Sequence, residues 1–182
     1  GYGTLGTLID GDQNTAVGYN AMTSGTHTSY NFNTVVGANA GDAFTSVAIE
    51  HVTGVGANCL GGALTAAAIG ATAVGSSALG ALTTGGSNTA VGYLALRDQD
   101  TGGSNTAIGR NSLIVATGSD AAENTAVGAL SGDAISSGQK NTIVGSEAAA
   151  NRLTTGDKNT AIGAETLGKG GGANLTGNDN TC

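Results

Sequence analysis

The sequence has no proline and no tryptophan; aromatic residues make up only 3% of it and charged residues 10%. Disordered chains are rich in charge and proline, so a chain short of both is expected to fold. A chain with so few large rings has a thin aliphatic core and buries little per residue, which predicts that copies associate. Six Lys and Arg against thirteen Asp and Glu, a formal net charge of -7, argue against the basic face that a nucleic-acid partner requires. No apolar run approaches the ~20 residues needed to cross a bilayer, and no charged-then-apolar leader opens the sequence. No membrane span is therefore expected within it. Two cysteines are too few for a disulfide framework. Cys59 reads as a small buried apolar residue. It is also too many repeats from Cys182 for their Cα atoms to come within the ~7 Å that a bridge needs.

What the chain does have is glycine, 33 of them, and one pattern that returns throughout. Asn88 to Leu96 reads Asn-Thr-Ala-Val-Gly-Tyr-Leu-Ala-Leu. With its Asn as position 0, copies start at Asn14, Asn33, Val52, Ala71, Asn88, Asn105, Asn124, Asn141 and Asn159, and a truncated copy starts at Asn180. The starts lie 17 to 21 residues apart. A fixed period of this size marks a solenoid, in which each repeat is one rung stacked on its neighbours. Residues 1–182 are expected to form a single array of about ten rungs. Gly1 to Leu5 matches positions +4 to +8 of a repeat and Asn180 to Cys182 matches 0 to +2, so both ends read as cut within a rung, as in a piece of a longer fibre.

Position +1 is Thr in every copy, and position +3 is β-branched in every complete one: Val17, Val36, Val55, Val74, Val91, Ile108, Val127, Val144 and Ile162. Side chains alternate faces along a strand, so +1 and +3 share one face while 0, +2 and +4 share the other. The +3 ladder is expected to be the core, each member worth roughly 1.5–3 kcal/mol of burial. The small residues at +2, mostly Ala, are expected to let another backbone approach. Gly at +4 implies a bend or a positive φ that ends the strand. A second apolar position at +8, with Met22, Leu60, Leu79, Leu96, Leu113 and Leu167, suggests two short strands per rung. Rungs stacked at about 4.8 Å would make a rod on the order of 40–45 Å long, with Asn at position 0 forming a ladder of side-chain amides. A helical repeat is excluded, because no segment keeps a 3.6-residue period and glycine recurs everywhere.

The rings that do occur gather in the first intervals: His27, Tyr30, Phe32, Phe44 and His51. Packing over the rod or between chains is the plainer role for them; a receptor-binding patch on decorated loops is the sharper one. The two histidines lie in separate loops without metal-ligand spacing, and no nucleophile, base and orienter can be assembled, so no catalytic residue, cofactor or metal is expected. Asp10-Gly11-Asp12, Asp98-Gln99-Asp100 and Asn178-Asp179-Asn180 read as solvated turn acids, since the nine-residue calcium-roll repeat is absent. Asn174-Leu175-Thr176 is a formal glycosylation sequon of little weight alone.

Asn14 to Met22, Asn105 to Gly109 and Ala68 to Gly75 resemble the head repeats of YadA-like trimeric autotransporter adhesins, and equally the repeat arrays of bacteriophage tail fibres. The resemblance runs over essentially the whole chain and implies an all-β fold: a left-handed parallel β-roll or β-solenoid, three chains around one axis, and attachment to a host surface or matrix. The spacing here is longer than in the compact head repeat, which implies larger loops or a broader solenoid. The expected function is a non-enzymatic structural and adhesive fibre segment, extracellular, at a cell surface or on a virion appendage. Its partners would be other copies of itself and a host surface glycan or protein. Two alternatives stand beside it: an ice-binding solenoid using the Thr ladder, and a purely structural extracellular filament subunit. The Thr ladder is expected to share the inward face of the +3 residues, which counts against ice binding. A polysaccharide-cleaving solenoid would need an acidic pair in a groove, and the sequence offers no obvious one.

Overall fold

The computed structural model describes residues 1–6, 11–23, 30–44, 48–116, 121–151, 153–167 and 177–181. Nine three-residue strands stack in sequence order into one parallel sheet: β1 (Thr15–Val17), β2 (Thr34–Val36), β3 (Thr53–Val55), β4 (Thr72–Val74), β5 (Thr89–Val91), β6 (Thr106–Ile108), β7 (Thr125–Val127), β8 (Thr142–Val144) and β9 (Thr160–Ile162). Every pairing joins equal positions of successive repeats, Thr15 opposite Thr34 and Val17 opposite Val36, through to Thr142 opposite Thr160. The chain is thus a parallel β-solenoid in which one repeat makes one turn. Intervals of 17 and of 19 residues pair in the same register, because the variable segment between strands absorbs the difference. A bridge from Thr160 to Thr181 begins the next rung. The helical content among the described residues is one 3-10 turn, Ala66–Ala68, in which the Ala67 amide donates to Thr65 Oγ1.

Among the described residues each turn carries one strand rather than the two expected. The apolar residues at +8 lie in a turn, where Met22, Leu60, Leu79, Leu96, Leu113 and Leu167 have φ between 48° and 51°. Residues at +6, such as Asn39 and Leu94, are left-handed too. A strand cannot contain such residues, yet the segment still hydrogen-bonds from rung to rung: Asn39 N donates to Tyr19 O at 2.8 Å and Met22 N to Ala40 O at 3.0 Å. The bend between strand and turn is the Gly at +4. These glycines hold φ between 124° and 145°. From Gly18 to Gly145 a Cβ would collide with the backbone of the glycine one rung on, so no other residue fits.

The expected polarity of the strand is inverted. The +3 residues are not the core: Val17, Val55, Val74, Ile108 and Ile162 are exposed, and Val36, Val91, Val127 and Val144 are half-buried. The +2 residues instead face the interior, with Val35, Ala73, Ala90, Ala107, Ala126, Ile143 and Ala161 fully buried. The reason is the width of the turn. The interior is already filled by Leu60, Leu79, Leu96 and Leu113 at +8 and by Phe44, Leu64, Leu82, Ile135 and Leu153 further along, which leaves room mainly for small side chains on the strand.

Position 0 also points inward. Asn33, Asn88, Asn105, Asn124, Asn141 and Asn159 are buried at 0–1% exposure. Each Oδ1 accepts the backbone N–H at position 0 of the next rung, as Asn124 does from Asn141 at 3.0 Å. Each Nδ2 donates to the carbonyl three residues before that position, as Asn124 does to Gly138 at 2.8 Å. From Asn105 to Asn180 the amides also bond one another directly, the ladder that the repeat implied.

The outward threonine and valine face as candidate functional surface

The strand face turned away from the interior carries two rows, Thr at +1 and Val or Ile at +3, running the length of the sheet. Thr15, Thr34 and Thr142 are exposed and the other strand threonines are half-buried. The expectation that these threonines point inward is therefore overturned with that of the +3 ladder. Neither row contains a charge over β1 to β9. With strands about 4.8 Å apart, eight steps give an uncharged stripe roughly 38 Å long in which methyls and hydroxyls recur at a fixed interval. An uncharged stripe of this length on a folded chain is a candidate contact surface.

Aromatic residues border the stripe at its first rungs. On one edge Phe32 and His51, both at position -1, stack at 5.0 Å with rings 2° from parallel. On the other, Tyr2 and Tyr19 at +5 stack at 5.7 Å and 12°. Both Phe32 and His51 have a left-handed backbone, near φ 60°, shared by the other non-glycine residues at position -1. Further along the same edge the position turns charged, and Lys140 stands 4.0 Å from Glu123.

The candidate receptor-binding rings thus separate. Phe32 and His51 lie on the surface, together. Tyr30 and Phe44 are 1% exposed and pack edge-to-face at 6.1 Å, with Tyr30 Oη donating to Phe44 O at 3.3 Å. Burial pushes the Tyr30 hydroxyl above its usual pKa. These two fill the interior of the solenoid, neither over the rod nor between chains as the plainer reading expected, and are corrected out of any receptor patch. His27 lies outside the described residues.

Cys59 at +7 is fully buried among its aliphatic neighbours, and burial lifts its thiol to about 11. It is an interior methyl equivalent with no nucleophilic role. Among the described residues no three His, Cys, Asp or Glu side chains are grouped to hold a metal ion, and no helix is long and apolar enough to cross a membrane.

Sequence reasoning missed the outward face because alternation alone does not say which face is inside. A signal was present: ten threonines in register would bring ten hydroxyls into a core that offers them no partners, which argues for the outside. No protein-family model matches the chain, and comparison with curated proteins and with solved structures gives no match.

Proposed function

We propose that this chain is a segment of a non-enzymatic structural and adhesive fibre, extracellular, in which three copies pack through their threonine and valine faces. The observation that carries the reading is the uncharged stripe of Thr and Val or Ile that the fold turns outward along all nine strands. A stripe of constant repeat is self-complementary: a second copy in the same orientation meets it rung for rung, and burial of each +3 side chain adds roughly 1.5–3 kcal/mol. The repeat pattern's resemblance to YadA-like heads and phage tail fibres supports the trimer, the left-handed roll and the role in attachment. Light scattering on the isolated chain tests the reading. A mass near three times 17.3 kDa is expected, falling to the monomer in Val74→Lys/Val91→Lys; a wild-type monomer would sink it.

A second reading is favoured by one observation, the outward threonines. A flat, regular array of hydroxyls and methyls is also the surface an ice-binding solenoid needs, and the objection that the threonines point inward no longer holds. Thermal hysteresis from a monomer in dilute solution selects that reading; a trimer without hysteresis selects the fibre.

A further inference from the structure

Beyond the strand face, past the bend at +4, a groove of about 420 Å³ runs along the turns of four successive rungs. It follows the column of residues at +9. In that column Asp42 and Arg97 stand at the two ends, with Gly61 and Gly80 on the rungs between them. Three rung spacings make it roughly 14 Å long.

The two glycines are not explained by the backbone. Neither has a positive φ, unlike the glycines at +4. A Cβ at Gly61 would lie 3.3 Å from the carbonyl oxygens of Asn58 and Gly80, and one at Gly80 would lie 3.3 Å from Ser77 O. Both are tight contacts that a shift of a few tenths of an ångström relieves. What glycine does at these two places is keep the groove open. It also leaves the floor polar. Among the described residues the backbone amides of Gly61 and Gly80 donate to no protein acceptor, whereas the equivalent amide of Arg97 donates to Leu94 O at 3.3 Å.

The walls match that floor. Asn58 and Ser77, both at +6, line one side. At one end Arg97 is held by Asp98 through two bonds of 2.6 Å, Nε to Oδ1 and Nη2 to Oδ2, so its charge is already neutralised. At the other end burial raises the pKa of Asp42. The groove therefore offers carboxylate acceptors, an amide, a hydroxyl and two backbone donors, in a site of pocket size with a net negative balance. An anionic ligand is repelled by that balance and by the chain's formal net charge of -7. The acids stand at opposite ends, too far apart to share a cation. A linear chain of neutral groups, each able both to donate and to accept, satisfies the site.

We infer that this groove is a binding site for a neutral oligosaccharide lying parallel to the solenoid axis. The inference deepens the attachment reading and rests on it for a surface-borne glycan as the natural ligand. Because the groove is lined by turn residues and not by the strands, copies that pack through the strand face leave it open.

The test is amide NMR of the isolated chain titrated with four neutral hexasaccharides, of gluco, manno, galacto and xylo type, to about 5 mM, a ceiling suited to weak ligands. A hyaluronan hexasaccharide serves as the acidic control. At least one neutral sugar is expected to shift the Gly61 and Gly80 amides, and the control is not. Gly80→Leu, which fills the groove, and Asn58→Gly, which removes an exposed wall amide while keeping the left-handed backbone there and so guards against misfolding of the first, are each expected to weaken the shift about tenfold. No shift from any neutral sugar, a shift only with hyaluronan, or shifts that neither variant weakens would overturn the inference. Light scattering on the same samples separates the outcomes: a trimer without sugar binding sinks the groove alone, and a monomer sinks the fibre while leaving the groove to its own titration.

Discussion

The side chain of Asn88 reaches one full turn ahead and closes on Asn105: its Oδ1 accepts the Asn105 amide at 2.9 Å while its Nδ2 donates to Gly102 O at 2.8 Å. One amide thus fixes both the start of the next strand and the turn that leads into it. Where Asn stands at position 0 this link reinforces the register across spacings of 17 to 21 residues; the rungs that start at Val52 and Ala71 keep the same register through the strand pairing alone.

Asn124→Ala tests that link. The change strands the buried amide of Asn141 and the carbonyl of Gly138 and removes two amide-to-amide contacts. Leaving such groups unpaired costs about 2–4 kcal/mol, read as a fall in the urea midpoint. Position 0 itself accepts a small residue, since Ala71 occupies it in another rung, so the loss reflects hydrogen bonding and not shape. The outer amide pair of Asn39 and Asn58, at 3.4 Å and exposed, is the contrast. Asn39→Gly, which keeps the left-handed backbone, is expected to change stability by less than about 1 kcal/mol.

The period, the register and the buried amide ladder were legible because each is a property of the repeat and recurs with it. The side of the strand that faces inward was not. Alternation separates Ala90 from Val91 but is blind to which is enclosed, and the larger side chain is the natural guess for a core. What decides the matter is the space left by Leu96 later in the same rung, a three-dimensional quantity. The second strand expected at +8 failed for another reason. Leucine carries no local sign of a left-handed backbone, so Leu79 and Leu96 read as strand residues although both sit near φ 50°. Among the rings, Phe32 and Tyr30 are two residues apart and on opposite sides of the wall.

Volume is traded between +2 and +8 in several rungs, which gives a second prediction. Where +2 is large, as at Val35 and Ile143, +8 is Gly41 or Ala149; where +8 is Leu60, +2 is Gly54. A Cβ at Gly54 would lie 2.9 Å from Leu60 Cδ1 and 3.1 Å from Cys59 Sγ. Gly54→Val is expected to destabilise by about 1–3 kcal/mol through overpacking. Leu60→Ala alone costs about 2–5 kcal/mol. The double variant should be less destabilised than the sum by at least ~1 kcal/mol, measured as a double-mutant cycle; strict additivity would show that the two sites do not share the space.

Gln99 supplies the third. It is fully buried at the interior position that Leu82 and Ile135 hold in other rungs, and neither its Nε2 nor its Oε1 has a hydrogen-bond partner. Such an amide is a net cost to the fold. Gln99→Leu, close in volume, is expected to stabilise by about 1–3 kcal/mol, seen as a rise in the denaturation midpoint.

The acid side of the stability profile follows from Asp133. Its carboxylate is pushed above the usual pKa first by burial and also by Glu147, against the opposing bond from the Asn151 amide at 2.8 Å. A carboxyl with a raised folded pKa binds more protons folded than unfolded in the window just above the ordinary value of 3.8, so its contribution to stability grows as pH falls through that window. Asp42 acts in the same direction, its carboxyl raised chiefly by burial. The chain is therefore expected to hold or gain stability between neutral pH and about pH 4, where proteins with paired carboxylates begin to lose it. Asp133→Asn keeps an oxygen to accept the Asn151 amide and removes the charge. It should raise the melting temperature at pH 7 and flatten its rise on acidification, while a variant equal to wild type at pH 7 and identical in slope would show that Asp133 carries no such strain.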